Sequence, residues 1–342
     1  MIEVENLTKK YGNHVAVDHL SFRIDRGVIY GFLGPNGAGK STTMNIMTGY
    51  IAATEGTVKI NGYDILKEPE LAKKAIGYLP EIPPVYTDMT VYEYLKFVAE
   101  LKKVPKAERK EQIEDIMKQT RVDDVRDRLI KNLSKGYKQR VGLAQAMIGY
   151  PEVIILDEPT VGLDPKQIIE IRELIRELAK KHTVILSSHI LSEVSAVCDH
   201  IMIISKGKLV ASDTPDGLMN MMKGGRQLTL SVKGERETLE AILKELPLVK
   251  GYNFETAKTE DVVCATLNTE GDEDIREELF YRLAAAKLPI MELAVVEKSL
   301  EDVFLELTGE EANEEKDTEA TEEIAVEETE NVEEEKQDEG NI

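Results

Sequence analysis

Apolar residues recur along the first two thirds of the chain in two patterns, one typical of buried strands and one of amphipathic helices. Val153–Leu156 and Thr183–Leu186 are short apolar runs rich in β-branched residues, as in strands buried within a parallel sheet. An amphipathic crossover helix is predicted between them by apolar residues at helical spacing: Ile168, Ile171, Ile175 and Leu178. The pattern predicts an α/β fold with a mostly parallel sheet over about residues 1–220.

Other parts of this region follow different patterns. Ile2–Val4, Leu20–Ile24 and Thr57–Ile60 alternate apolar and polar residues, which predicts an antiparallel β subdomain beside the parallel core. Residues 88–132 are rich in Lys, Glu, Leu and Arg and carry almost no strand signal. We therefore predict a helical subdomain at about residues 88–140, within a first domain that spans residues 1–221.

Residues 222–308 are predicted to form a second, small α+β module. Its strands and helices are expected in the order β-α-β-β-α-β, which is that of a split βαβ or ferredoxin-like module. The segments are Gln227–Val232, Thr238–Leu246, Lys250–Phe254, Asp261–Leu267, Asp274–Ala286 and Ile290–Val296. A short amphipathic helix follows, with one apolar side made of Leu300, Val303, Phe304 and Leu307.

The net charge of −21 is concentrated at the C-terminus. Residues 310–342 hold 16 Asp or Glu and 2 Lys or Arg, so they contribute −14 and residues 1–309 carry only −7. We expect residues 309–342 to be a disordered acidic tail, which either binds a partner or is passively solvated. The rest of the chain lacks the basic surface that nucleic-acid binding requires, so no nucleic-acid partner is expected.

The remaining composition favours a protein of the reducing cytoplasm. No run approaches the roughly 20 apolar residues of a membrane span, and the N-terminus shows no secretory signal. Cys198 and Cys264 have no metal-site spacing and are expected to be ordinary buried thiols.

The most informative motif is a glycine-rich loop of the form G-x-x-x-x-G-K-[ST]. Val28–Leu33 is expected to be a buried strand that enters the loop, and Ser41–Thr48 a helix that leaves it. Such a loop turns its N–H groups towards phosphates, Lys40 reaches the β- and γ-phosphates, and the Ser41 hydroxyl ligates Mg²⁺. The predicted nucleotide-binding residues are Gly34, Pro35, Asn36, Gly37, Ala38, Gly39, Lys40, Ser41 and Thr42.

Two carboxylates and a histidine follow the predicted parallel strands. Asp157 suits a Mg²⁺ ligand, and Glu158 suits the general base that polarises the attacking water. His189 lies at the strand edge where ligands bind in parallel sheets, and we expect it to donate to a γ-phosphate oxygen. Ordinary surface or core roles are expected for His14, His19, His182 and His200.

Ser134 is a natural N-cap for a helix that continues to Met147, and the neighbouring N–H groups are suited to bind an anion. Helix capping alone would be sufficient to explain a serine at this position. As an ordered set, the motifs resemble the ATP-binding subunit of an ABC transporter over about residues 1–220. That set comprises the phosphate loop, Leu-Ser-x-Gly at 133–136, Ile-Leu-Asp-Glu-Pro-Thr at 155–160, Gly-Leu-Asp-Pro at 162–165 and Ser-Ser-His at 187–189.

The resemblance implies a role for several further residues. Tyr11 matches the aromatic residue that stacks on adenine, and Ser134 and Gly136 match the signature residues that contact ATP held by the other subunit. Residues 162–164 match the loop that couples the two sites. Glu81 stands where the family usually has a Gln that touches Mg²⁺ and signals to the membrane partner. The implied cofactors are ATP and Mg²⁺, and the implied metal ligands are Ser41, Glu81 and Asp157.

The chain departs from the family pattern at three positions. Glu81 replaces the Gln, and the signature reads Leu-Ser-Lys-Gly-Tyr, so Lys135 and Tyr137 replace a Gly and a Gln. Because Ser134 and Gly136 remain, catalysis is expected to be intact. Together with Glu297–Phe304, these features are similar to a prokaryotic branch of ATPase subunits in multidrug or antibiotic exporters.

The resemblance implies an ATPase that powers a separate membrane permease, which is expected to dock on residues 88–132 and the segment 81–91. Two identical or related subunits would face head-to-tail and enclose two ATP molecules, at the cytoplasmic face of the membrane. One alternative is a soluble ABC-type ATPase without a permease, which usually carries two ATPase domains or a long coiled coil. Another is a regulatory binder that does not hydrolyse ATP, although Lys40, Asp157, Glu158 and His189 are all present. The sequence does not reveal the cargo.

Overall fold

The structure is a computed structural model that describes residues 1–221, 227–255, 261–269, 274–296 and 300–308. The strands are β1 (Ile2–Tyr11), β2 (His14–Ile24), β3 (Ile29–Leu33), β4 (Glu55–Ile60), β5 (Tyr63–Asp64), β6 (Ile76–Leu79), β7 (Val153–Asp157), β8 (Thr183–Ser188), β9 (His200–Ser205), β10 (Lys208–Asp213), β11 (Gln227–Lys233), β12 (Val249–Glu255), β13 (Val262–Thr269) and β14 (Ile290–Val296). The helices are α1 (Lys40–Met47), α2 (Pro69–Lys74), α3 (Val91–Leu101), α4 (Arg109–Gln119), α5 (Lys135–Met147), α6 (Pro165–Ala179), α7 (Leu191–Ser195), α8 (Pro215–Met221), α9 (Arg236–Lys244), α10 (Arg276–Ala285) and α11 (Leu300–Thr308).

A six-stranded sheet with the order β10-β9-β3-β8-β7-β6 forms the centre of the first domain. Its strands are parallel except for the edge strand β10. Every residue of β3, β7 and β8 is buried, as their continuous apolar runs predict. The predicted strands at Val153–Leu156 and Thr183–Leu186 are confirmed, and β6 adds a strand that the sequence analysis did not assign. The carboxyl ends of these parallel strands meet at one edge, where ligands bind in such sheets.

A second sheet, with the order β2-β1-β4-β5, is antiparallel, as predicted from the alternating segments. Its apolar face packs against the central sheet and α1, and the shared core includes Leu20, Phe32, Met44 and Ile60. The rings of Phe22 and Phe32 meet edge to face, with their centroids 5.3 Å apart. This packing places the turn between β1 and β2 near the start of α1.

The predicted helical segment contains α3 and α4, and α5 runs past residue 140 to pack against β6. A capping box starts α3, in which Thr90 accepts from the Glu93 N–H and the Glu93 carboxylate accepts from the Thr90 N–H. The backbones of α5 and β6 approach closely, because a Cβ on Gly77 would lie 2.2 Å from the Ala146 carbonyl oxygen. The N-terminus of α5 is therefore part of a helix held firmly against the central sheet.

The C-terminal residues form a third, antiparallel sheet with the order β12-β13-β11-β14. With α9 and α10, the element order is β-α-β-β-α-β, as the sequence predicts. The amphipathic helix α11 returns to the first domain, where its predicted apolar side packs on the core: Leu300, Phe304 and Leu307 are partly buried and Val303 is fully buried. The predicted acidic tail lies outside the described residues. Among the helices that the structure describes, none is long and apolar enough to cross a bilayer.

Candidate functional site

Strand β3 leads directly into the glycine-rich loop, and α1 begins at Lys40, so the predicted strand, loop and helix are confirmed. The loop follows a path that a side chain would obstruct. Gly39 has φ +104°, and a Cβ there would lie 2.5 Å from the Ala16 carbonyl oxygen. No side chain caps the start of α1. The N–H groups at that end are therefore suited to bind an anion.

Lys40 is nearly completely buried at the base of this loop, with 6% of its surface exposed. Its ammonium donates to the carbonyl oxygens of Gly34 (2.6 Å) and Pro35 (3.1 Å) and lies 3.8 Å from Glu158 Oε1. Burial lowers the pKa of Lys40, and the nearby charges of Glu158 and Asp157 oppose that shift. The ammonium is thus held between the glycine-rich loop and the carboxylate that follows β7.

Ser41 and Asp157 form the part of the site that is suited to a hard cation. Ser41 Oγ lies 3.3 Å from Asp157 Oδ1, and Ser187 Oγ donates to the same oxygen at 2.5 Å. Hydroxyl and carboxylate oxygens fit Mg²⁺, which takes few protein ligands and completes its octahedron with phosphates and water. In the described part of the chain no group of three His, Cys, Asp or Glu residues is placed to hold a metal ion.

Glu158 and His189 come from the ends of two neighbouring strands, β7 and β8. Glu158 is 7% exposed and has φ +47°, a conformation that few residues other than glycine adopt. Its backbone N–H donates to Ser187 Oγ at 3.0 Å, which helps to hold that conformation. His189 Nδ1 lies 3.1 Å from Glu158 Oε2. The predicted base and the predicted phosphate donor are therefore in direct contact.

A cavity of about 540 Å³ joins these groups. Most of the predicted site residues line it, including Tyr11, Glu81, Glu158 and His189. Gly34, Pro35 and Asp157 are not part of its lining. Three lining residues, His14, Ala16 and Val161, were not predicted from the sequence. The motif Gly-Leu-Asp-Pro at 162–165 was a signal for Val161, which directly precedes it.

Ser134 and Gly136 do not line this cavity. Ser134 is the N-cap of α5, as predicted, and accepts from the Tyr137 N–H at 3.4 Å. Gly136 lies against the side chain of Gln167 on α6, where a Cβ would be 2.6 Å from Oε1. Ser134 is exposed and Gly136 is buried, and both lie outside the cavity of their own chain.

The two unusual signature residues have local partners. The Tyr137 hydroxyl donates to Asp124 at 2.6 Å, and the Arg140 guanidinium lies 4.2 Å above the Tyr137 ring. Lys135 extends over Gly162, since a Cβ on that glycine would lie 2.1 Å from Lys135 Nζ. Tyr137 thus links the signature helix to the helical subdomain, and Lys135 links it to the loop that follows Val161.

Comparisons with known proteins agree with this geometry. The family described as ABC transporter matches residues 17–161. The bacitracin transport ATP-binding protein BcrA of Bacillus licheniformis is 33% identical over 311 residues, which are 90% of this chain and 97% of that protein. The linearmycin resistance ATP-binding protein LnrL of Bacillus subtilis (strain 168) is 32% identical over 310 residues, 90% of this chain and 98% of that protein.

Solved structures lead to the same family. A structure described as the ATP binding subunit of an ABC transporter superposes with a TM-score of 0.59 and 31% sequence identity, over 65% of this chain and 92% of that chain. The family match over residues 17–161 includes the glycine-rich loop, Asp157 and Glu158. The chain therefore belongs to the ABC transporter family, as one of its ATP-binding ATPase subunits.

Proposed function

We propose that this chain hydrolyses ATP to power a separate membrane permease that exports its cargo. The observation that carries the catalytic part is the convergence, in one cavity, of the glycine-rich loop, Lys40, Glu158 and His189. With a triphosphate bound along residues 34–42, Lys40 would donate to phosphate oxygens in place of the carbonyl oxygens of its own loop. The adenine would stack on Tyr11. A bound Mg²⁺, held by Ser41 and Asp157 with Glu81 nearby, would neutralise phosphate charge.

Glu158 acts as the general base in this proposal. Its carboxylate takes a proton from a water molecule whose oxygen attacks the γ-phosphorus, and the bond from that phosphorus to the bridging oxygen of ADP breaks. The buried position of Glu158 keeps the carboxylate in one place, and the contact with Lys40 limits its freedom further. ADP and inorganic phosphate are the products.

His189 is proposed to bind the γ-phosphate once the nucleotide is present. A neutral imidazole that donates from Nδ1 to Glu158 has only an acceptor at Nε2, whereas a phosphate oxygen needs a donor. A neutral His189 that donates from Nε2 to a phosphate oxygen has only an acceptor at Nδ1, so it gives up the hydrogen bond to Glu158 when ATP binds. The carboxylate of Glu158 is then free to face water only when the γ-phosphate is in place.

The working unit is proposed to be a dimer in which each cavity is completed by the other subunit. This proposal rests on the position of Ser134 and Gly136, which lie outside the cavity of their own chain. Closure around two ATP molecules would be stabilised by γ-phosphate contacts, and hydrolysis would remove that stabilisation and let the dimer reopen.

The proposed partner is an integral membrane permease at the cytoplasmic face of the membrane. The proposed docking surface includes the segment 81–91, where Ile82 and Tyr86 are 81% and 55% exposed. Both residues lie close in sequence to Glu81, on the wall of the cavity, so a partner bound there would be in contact with the ATP site. Relatives named for bacitracin transport and linearmycin resistance favour export of an antibiotic-like cargo.

The proposal is tested in two steps. The purified chain should hydrolyse ATP, and absence of turnover would leave only the ATP-holding regulatory role. The chain should then be expressed with multi-span membrane proteins encoded beside it and purified through one of them. We expect joint purification and a rate of ATP hydrolysis that rises with cargo, whereas an active ATPase that joins none of them would favour the soluble alternative.

A further inference from the structure

Glu193 is a buried carboxylate that the proposed chemistry does not use. It lies in the short helix α7 and has 8% of its surface exposed. One of its oxygens, Oε2, accepts hydrogen bonds from Thr160 Oγ1 at 2.5 Å and from Ser188 Oγ at 3.0 Å. A buried carboxylate needs such partners, so these bonds define where both hydroxyl groups lie.

The two hydroxyl donors each lie next in sequence to a residue that lines the ATP cavity. Thr160 directly precedes Val161, and Ser188 directly precedes His189; both Val161 and His189 line the cavity. Glu193 therefore joins the loop that follows β7 to the loop that follows β8, although it does not itself line the cavity.

The hydroxyl of Ser188 also fixes the turn that carries His189. Its oxygen accepts from the Ile190 N–H at 3.0 Å while its single proton is given to Glu193. Since a hydroxyl has only one proton, the carboxylate of Glu193 determines the direction in which that hydroxyl points. The backbone on both sides of His189 is thus tied to one buried charge.

We propose that Glu193 is a positioning residue for ATP hydrolysis, which holds Val161 and His189 in the arrangement that receives the γ-phosphate. The inference rests on the proposed ATPase function of this site. Loss of the carboxylate should release both loops and misplace His189. The glycine-rich loop follows β3 and Lys40 begins α1, whereas Glu193 bonds to Thr160 and Ser188, so ATP should still bind.

The test compares three variants of the full chain, with steady-state ATP hydrolysis measured for each. In Glu193→Ala we expect kcat to fall at least tenfold while KM for ATP changes less than about twofold. In Glu193→Gln, the amide oxygen still accepts from both hydroxyls, so we expect kcat within about threefold of the wild type. The matched control is Asp64→Ala, which removes a carboxylate that is also 8% exposed but accepts from the Leu66 and Lys67 N–H groups on the antiparallel sheet. Its kcat per folded molecule should be unchanged.

Two further variants keep the test decisive if Glu193→Ala does not fold. Thr160→Val and Ser188→Ala each remove one donor, and each should lower kcat with little change in KM. The inference is overturned by a wild-type kcat in Glu193→Ala or in both donor variants, by an equal loss in Asp64→Ala, or by a loss that appears mainly in KM. A wild-type chain without turnover would instead refute the proposed function, so the two failures are distinguishable.

Discussion

The imidazole of His189 and the carboxylate of Glu158 lie in contact, with 3.1 Å between Nδ1 and Oε2. The two side chains come from adjacent parallel strands, whose carboxyl ends place them side by side although 31 positions separate them in sequence. Glu158 is enclosed on its other side by Lys40. The group that we propose as the base is therefore held between Lys40 and His189, the two residues that we propose to bind the γ-phosphate.

Removal of the charge on Glu158 should stop turnover without preventing ATP binding. In Glu158→Gln we expect kcat to fall by about 10²-fold to 10⁴-fold, the usual contribution of general-base catalysis. ATP affinity, measured by calorimetry, should stay close to that of the wild type. The control is Glu152→Gln, which changes an exposed carboxylate just before the same strand. An unchanged hydrolysis rate in Glu158→Gln would remove Glu158 from the role of base.

Lys40→Ala should weaken nucleotide binding, because the lysine would make charge-assisted hydrogen bonds to the β- and γ-phosphates. Such bonds contribute about 1.5–3 kcal/mol, which corresponds to about tenfold to 150-fold in Kd. Calorimetry with ATP and Mg²⁺ measures the change directly. Lys73→Ala is the control, since Lys73 donates to the Gly49 carbonyl oxygen at the far end of α1. Equal ATP affinity in the wild type and Lys40→Ala would argue against the phosphate cradle.

Tyr11→Ala should weaken binding of ATP but not of inorganic tripolyphosphate. Loss of stacking between an aromatic side chain and a base costs about 1–3 kcal/mol, so the Kd for ATP should rise about fivefold to 150-fold. Tyr11→Phe keeps the ring and should bind ATP nearly as well as the wild type. If the affinity for tripolyphosphate falls as much as that for ATP, Tyr11 does not act through the adenine.

The buried thiol of Cys198 should make the protein less stable at alkaline pH. Burial raises the pKa of Cys198 well above its ordinary value of 9.0. Above about pH 9 the thiol ionises in the unfolded chain and stays protonated in the folded one, so the free energy of unfolding decreases as pH rises. Relative to Cys198→Ala, the wild type should lose about 2 kcal/mol between pH 8 and pH 10.5.

Denaturant titrations of both proteins at several pH values measure this difference. Between pH 7 and pH 8 the thiol is protonated in both states, so the difference between the two proteins should be constant there. A difference that stays constant up to pH 10.5 would contradict the burial of Cys198.

The sequence predicts the parts of the site that depend on local structure. The glycine-rich loop and Glu158 each follow a buried strand directly and Asp157 ends one, so a short stretch of sequence is enough to place them at the same sheet edge. His14 and Ala16 could not be found in this way, because they reach the cavity through packing of the antiparallel sheet on the loop. That packing includes the close approach of Gly39 to the Ala16 carbonyl oxygen.

The polar network around Glu193 was also invisible to pattern analysis. Thr160 lies 33 positions before Glu193, and the two meet only because β7 and β8 are neighbours in the sheet. A single buried carboxylate in an otherwise ordinary short helix leaves no periodic signal. In contrast, the β-α-β-β-α-β order of the C-terminal elements followed from alternation and helical spacing alone.

The most direct test of the account is a structure of Glu158→Gln with ATP and Mg²⁺. We predict a dimer in which the triphosphate lies along residues 34–42 and the γ-phosphate is covered by Ser134 and Gly136 of the partner subunit. A glycine-rich loop without nucleotide, or a dimer whose signature residues lie far from the γ-phosphate, would contradict it.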